Sequence, residues 1–128
     1  QDRINLLDRE PTNNGTLDYC HEHVIGFISF SPLAQGLLTD RYLNGIPSDS
    51  RMAQGRFLTQ DKLTPELLDY LRKLNKMAKE RGETLAEMAL AWILQQQGVT
   101  SVLVGASSTT QLEMNMKCVE AKPIQQNI

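Results

Sequence analysis

Aromatic side chains are scarce in this 128-residue chain, at 5% with a single Trp, and cysteine is scarcer, with only Cys20 and Cys118, far apart in sequence. Two distant thiols make neither a disulfide framework nor a metal-binding spacing, so they are expected to be reduced and partly buried. Charge of one sign is also missing. A formal net charge of -2, with acids and bases interspersed, leaves no electrostatic case for nucleic acid or for an anionic membrane surface. No apolar run approaches the roughly 18 to 20 residues needed to span a bilayer, and no charged-then-apolar leader opens the chain, which favours the cytoplasm. The opening residue is Gln1 rather than Met, and it lies in a strand-like segment, so the chain reads as cut from something larger. What is present is ample apolar material, 41% of the residues, enough for one ordinary domain with a core.

That material is organised around residues 24–39. Residues 24–30 form a short apolar run, β-branched and aromatic, with the character of a buried strand, although periodicity alone does not separate it from a helical segment. Ser31-Pro32 ends the run, because Pro32 has no amide hydrogen and turns Ser31 away from the α region. A second β-rich run, residues 99–104, halts at Gly105-Ala106, after which Ser107 or Ser108 is placed to cap a helix with Leu112, Met116 and Val119 turned inward. In parallel α/β folds ligands collect beyond the carboxyl ends of strands. Two such ends sharing a rim would offer free amides, a helix dipole and short hydroxyls to an anion.

The remaining segments fill in the alternation. Residues 1–9 predict a short strand that buries Ile4, Leu6 and Leu7, followed by a turn-rich loop. Residues 16–23 predict two helical turns with Leu17, Cys20 and Val24 on one side. His21 and His23, two apart, do not face each other on a helix and lack a third ligand, so no metal site is expected. Residues 40–64 form a long polar connection carrying Arg41, Arg51 and Arg56; loops of that length are functional or disordered, and a lid is the sharper reading. Thr64-Pro65 starts an amphipathic helix with Leu67, Leu71, Leu74, Met77 and Ala78 on one stripe, running to Gly82. Thr84 and Glu87 form a capping box for a second helix whose apolar face is Leu85, Met88, Ala89, Trp92 and Ile93. Helix, strand and helix alternate, which argues for a parallel sheet with crossover helices. Residues 121–128 carry no usable pattern.

Phe30-Ser31-Pro32-Leu33-Ala34-Gln35-Gly36-Leu37-Leu38-Thr39, together with Gly105-Ala106-Ser107-Ser108, Gln111 and Asn115, resembles the last third of an aldo-keto reductase. The nearest branch is that of bacterial glyceraldehyde-phosphate reductases and potassium-channel beta subunits. The likeness extends over residues 1–120, with 121–128 as a tail. It implies an α/β fold, an incomplete (β/α)8 TIM barrel of roughly the last three strand-helix units. It also implies NADP(H), bound extended at the barrel mouth without a Rossmann glycine fingerprint. By resemblance, Gln1 falls where the family holds the nicotinamide carboxamide, and Phe30 where a ring stacks on the nicotinamide. Ser31, Pro32, Leu33, Gln35 and Gly36 match the pyrophosphate loop. Arg41 stands where a Lys is common, and Arg51 matches a base near the adenosine phosphates. Gly105, Ser107, Gln111 and Asn115 match the adenosine end, with Ser107 near the 2'-phosphate. Met114 departs from the pattern, replacing an acid that contacts adenine, with Glu113 beside it as a partial substitute. Read without the resemblance, Phe30 is a core aromatic, Gln1 a frayed terminus, and Arg41 and Arg51 solvated charges.

The resemblance also implies what is missing. Family members transfer hydride to an aldehyde or ketone while a Tyr, supported by Lys, Asp and His, protonates the carbonyl oxygen. None of the four is matched here, and Tyr19, Tyr42 and Tyr70 have no catalytic assignment. The chain is expected to be part of an NADPH-dependent carbonyl reductase, inactive by itself and acting on a small carbonyl substrate only when completed by the amino-terminal half. Alternatives are a regulatory channel-subunit-like nucleotide-binding module or an inert remnant. Three strands cannot close an eight-stranded barrel, so open sheet edges are expected to favour self-association.

Overall fold

In the computed structural model, residues 1–55, 60–125 and 128 are described. Three short strands, β1 (Asp2–Arg3), β2 (Ile28–Phe30) and β3 (Ser101–Val102), form one parallel sheet in the order β1-β2-β3. Asp2 pairs with Ser29 and Arg3 with Phe30, while Ile28 pairs with Ser101 and Ser29 with Val102. All three strands therefore run the same way, and the turns that follow them emerge on the same rim. Short helices α1 (Glu10–Asn13) and α2 (Thr16–Glu22) connect the first pair. A longer connection leads to β3 through α3 (Arg51–Gln54), α4 (Pro65–Glu80) and α5 (Leu85–Leu94), and α6 (Thr109–Met116) follows β3.

The helix-start signals are realised in detail. The Thr64 hydroxyl accepts from the Leu67 amide with Pro65 at the first helical turn, and Thr84 and Glu87 close a reciprocal capping box. Leu71, Leu74 and Ala78 of α4 are buried against α5, whose Met88, Ala89, Leu90, Ala91, Trp92 and Ile93 are all buried. A helix buried nearly all round must have neighbours on every side. Here those include the sheet, α4 and α6.

Several expectations are corrected. The strand within residues 24–30 is only three residues long: Val24 sits in the left-handed region at φ 56° and is 94% exposed, and Ile25 is also exposed. With Val24 out in solvent, only Leu17 and half-buried Cys20 form the inner side of α2. Residues 10–13, expected in a loop, form α1, with Pro11 supplying a helix-compatible φ in the first turn. Leu112 and Met116 of α6, and Val119 in the turn after it, do not point inward: all three are exposed, because among the described residues nothing covers the side of α6 opposite Asn115. The long connection is not bare loop. Tyr42 and Met52 are buried with Leu37 in a small satellite core, and the Tyr42 hydroxyl accepts a hydrogen bond from the Met52 amide at 3.4 Å.

The stretch without pattern is fastened down at its described residues, 121–125 and 128. Arg81 donates to the carbonyls of Lys122 and Pro123 at 2.6 and 3.1 Å, Gln95 brackets Ile124 by donating to the Lys122 carbonyl and accepting the Ile124 amide, and Ile124 is buried. Arg9 reaches the Ile128 carbonyl at 2.8 Å while its guanidinium lies 4.6 Å from the centre of the Trp92 ring. Both cysteines are free thiols of intermediate burial. His21 bonds Gln97 and His23 stacks on Tyr19; among the described residues no His, Cys, Asp and Glu group could hold a metal ion. Among those residues no helix is long and apolar enough to cross a membrane.

Candidate functional site

The turn after β2 is built on an uncommon backbone. Ser31, Ala34 and Gln35 all have positive φ (49°, 49° and 59°), and Gly36 follows at 97°. Non-glycine residues in this region are strained by roughly 1–2 kcal/mol each and persist only where surroundings over-determine them. The surroundings are visible. Asn5, 1% exposed, donates from Nδ2 to the Ser31 carbonyl at 2.9 Å. The Thr39 hydroxyl donates to the Gly36 carbonyl at 2.6 Å and accepts from the Arg41 amide at 3.2 Å. The Leu33 carbonyl accepts from both the Gly36 and Leu38 amides at 3.0 Å.

The turn after β3 is put together differently. Ser108 caps α6 by accepting the Gln111 amide at 3.1 Å, leaving the dipole's positive end at the turn. The Ser107 amide and hydroxyl both donate to a single oxygen, Gln111 Oε1, at 2.8 and 3.0 Å. Ser107 and Gln111 are exposed, so an incoming anion can take over those donors.

The two turns meet. A cleft of about 510 Å³ is lined by Ser31, Pro32, Leu33, Gln35, Gly36, Thr39, Arg41, Tyr42, Asp49 and, from the other turn, Val104, Gly105, Ala106, Ser107 and Gln111. Its one described cation, Arg41, lies 3.2 Å from Asp49. Leu33, Thr39 and Gln111 also line a second, larger cavity of about 960 Å³. That cavity lies between α4 and α6, with Arg72, Lys76 and Lys79 on one wall and Met114 and Asn115 on the other. Asn115 is 6% exposed and its Nδ2 has no partner. A buried amide without an acceptor is uncommon, and its desolvation is offset only when a ligand or water supplies one.

Of the sequence-selected residues, Ser31, Pro32, Leu33, Gln35, Gly36, Arg41, Gly105, Ser107 and Gln111 therefore share the smaller cleft, and Asn115 borders the adjoining cavity. Gln1 and Phe30 line neither; Gln1 is exposed just before β1, and the Arg3 guanidinium lies 5.5 Å from the Phe30 ring centre. The side chain of Arg51 and all of Arg56 lie outside the described residues. Met114, not Glu113, lines the larger cavity. Sequence reasoning missed Asn5, Thr39 and Asp49. For Asn5 a signal existed: an amide between Ile4 and Leu6-Leu7 must be hydrogen-bonded if it is buried with them.

Against known proteins, the model of the aldo/keto reductase family matches residues 1–127. The chain belongs to the aldo/keto reductase family. It is 50% identical over 123 residues to an L-glyceraldehyde 3-phosphate reductase of Escherichia coli O157:H7, covering 93% of this chain and 36% of that protein. It is 37% identical over 127 residues to a probable voltage-gated potassium channel subunit beta of Arabidopsis thaliana, covering 97% of this chain and 39% of the other. Among solved structures, the thermostable aldo-keto reductase Tm1743, in complex with the inhibitor epalrestat, superposes with a TM-score of 0.65 at 23% identity, over 98% of this chain and 35% of that one. This aldo/keto reductase chain thus spans little more than a third of the length of these relatives.

Proposed function

We propose that this chain carries the cofactor-gripping part of an NADPH-dependent reductase of aldehydes or ketones, its three strands being units of a (β/α)8 barrel completed by other segments. The reading rests on one observation: two turns of unrelated construction, one ending in Ser31 to Gly36 and one in Gly105 to Ser107, face the same cleft. Amides and hydroxyls from both, with Arg41, suit a pyrophosphate and the ribose phosphate, because each N–H and O–H is a donor and the α6 dipole adds positive charge. Asn115 Nδ2, buried without an acceptor, suits a ring nitrogen or carbonyl of a base in the adjoining cavity. Bound NADPH would supply the hydride. The residues of the two turns would bind and orient it, while the proton donor to the carbonyl and its Lys, Asp and His supports would come from elsewhere in the barrel.

Excess surface supports the incomplete barrel. The chain exposes 8023 Å², against about 6,800 Å² for a folded monomer of 14.4 kDa. Ile28, Leu103, Val104 and the outer face of α6 contribute to the excess, and without added strands these surfaces favour self-association. A cytoplasmic location belongs to the same reading, consistent with two free thiols. A regulatory, nucleotide-sensing subunit is the second reading, carried by the Arabidopsis likeness. The higher identity to the reductase, 50% against 37%, favours the first.

The test is a titration of the chain followed by NADPH fluorescence. Weak, saturable binding that weakens with salt is expected, since phosphate contacts are screened. Absence of saturation up to millimolar nucleotide sinks the reading. In a protein joined to the missing units, Arg51→Ala should lower the preference for NADPH over NADH; unchanged preference removes Arg51 from the site.

A further inference from the structure

We infer that Asn5 is a positioning residue for the nucleotide, holding the turn after β2 in its binding shape without touching the ligand; this rests on the cofactor reading above. Asn5 lies directly after β1, two residues beyond Arg3, and lines neither cavity. Its amide is oriented by its own loop. Oδ1 accepts the Leu7 amide at 2.9 Å and the Asp8 amide at 2.8 Å, while the Asn5 and Asp8 backbones exchange hydrogen bonds of 2.9 and 3.2 Å. Two backbone donors need an acceptor on that side, so the NH2 end must point the other way.

There it meets the Ser31 carbonyl at 2.9 Å. Ser31 is the first residue past β2 and has φ 49°, a conformation that serine does not hold by preference. The donor comes from a neighbouring strand's loop, twenty-six positions away in sequence. The rim of one strand therefore sets the backbone of the next. Burial makes the arrangement stiff: Asn5 is 1% exposed, so water cannot replace Nδ2 if it is removed, and the carbonyl would keep only the Ala34 amide of its own turn, at 3.2 Å. A second cross-strand bond, from Ser29 Oγ to the Ile4 carbonyl at 2.9 Å, ties the same two strands one step earlier, below the turn. Comparing the two separates holding the sheet together from shaping the turn.

The experiment uses the 128-residue chain with Asn5→Asp, Asn5→Ser and Ser29→Ala. Asn5→Asp keeps an acceptor for Leu7 and Asp8 but sets an oxygen against the Ser31 carbonyl, and Asn5→Ser keeps a local acceptor too short to reach it. Both should shift the NMR amide resonances of Ser31, Ala34, Gln35 and Gly36 and weaken NADPH binding about fivefold to tenfold, the effect of one buried hydrogen bond. Ser29→Ala should lower the unfolding midpoint while leaving those resonances and the nucleotide affinity in place. Turn amides that stay put in the Asn5 variants, or move equally in Ser29→Ala, overturn the role. If both Asn5 variants fail to fold, the wild-type chain decides. Its Asn5 side-chain amide protons should exchange slowly and show nuclear Overhauser contacts to Ser31 and Pro32, and fast exchange without those contacts overturns it. If wild type binds no NADPH, the cofactor reading falls, while the amide shifts still decide whether Asn5 shapes the turn.

Discussion

Two turns reach one cleft by opposite means. The turn after β2 stores left-handed backbone at Ser31, Ala34 and Gln35 and is supported by a buried amide from another strand. The turn after β3 has no residue of positive φ; it opens a helix, and its serines are tied to Gln111 and Leu112, four or fewer residues away. The first is a shape imposed by tertiary packing, the second a local motif. Strain in one and exposure in the other mean that the two should respond differently to the same kind of substitution.

The largest contrast is expected at glycine. Gly36 has φ 97° with the Tyr42 ring 3.5 Å from where a Cβ would stand, whereas a Cβ at Gly105 would meet nothing within 4 Å. Gly36→Ala should cost about 1–2 kcal/mol, from the left-handed penalty, while Gly105→Ala should stay within about 0.5 kcal/mol, both by denaturant unfolding. Equal effects would erase the contrast between the turns. Next in size is the helix cap: Ser108→Ala should cost about 1 kcal/mol by releasing the Gln111 amide, and it should also weaken nucleotide binding through a frayed α6. A loss of stability with unaltered affinity would show that α6 does not contribute to the grip.

The smallest effect concerns charge. Arg41 and Asp49 form an exposed pair, 47% and 80% accessible at 3.2 Å, of a kind worth about 0–1 kcal/mol. Asp49→Asn should therefore leave stability nearly unchanged but free Arg41 for phosphate, tightening NADPH binding about twofold to threefold at low salt. The gain should vanish near 1 M salt, where the screening length is only about 3 Å. Tightening that survives high salt would mean that the substitution acts by some route other than releasing Arg41.

The parts of this fold that could be read from residues alone are those with local causes. Thr64-Pro65 and the Thr84–Glu87 box mark helix starts because a cap and its partner lie within one turn, and the stripe from Leu71 to Ala78 needs only helical period. The inward turn expected for Leu112, Met116 and Val119 failed because the same period says which residues share a face, not whether anything packs on it. Val24 failed for a related reason: an apolar run carries no record of where its strand begins, and the pairing of Ile28 with Ser101 decides that.

The candidate site divides along the same line. Ser31-Pro32 and Gly105 to Ser108 were legible as strand ends and as a family pattern, since proline, glycine and capping serines act on their own neighbours. The roles of Asn5 and Asp49 were not: apolar neighbours imply that a buried Asn5 needs a partner, but which carbonyl or guanidinium meets these residues depends on what is brought to them from elsewhere in the chain. Sequence alone thus determined the family, the longer helices with capped starts and the two punctuated strand ends, all of which follow from short-range chemistry. Only the tertiary structure decided that the turns share a cleft, that a buried amide shapes one of them and that one side of α6 faces water. Those outcomes depend on parallel pairing and on which neighbours are there to pack.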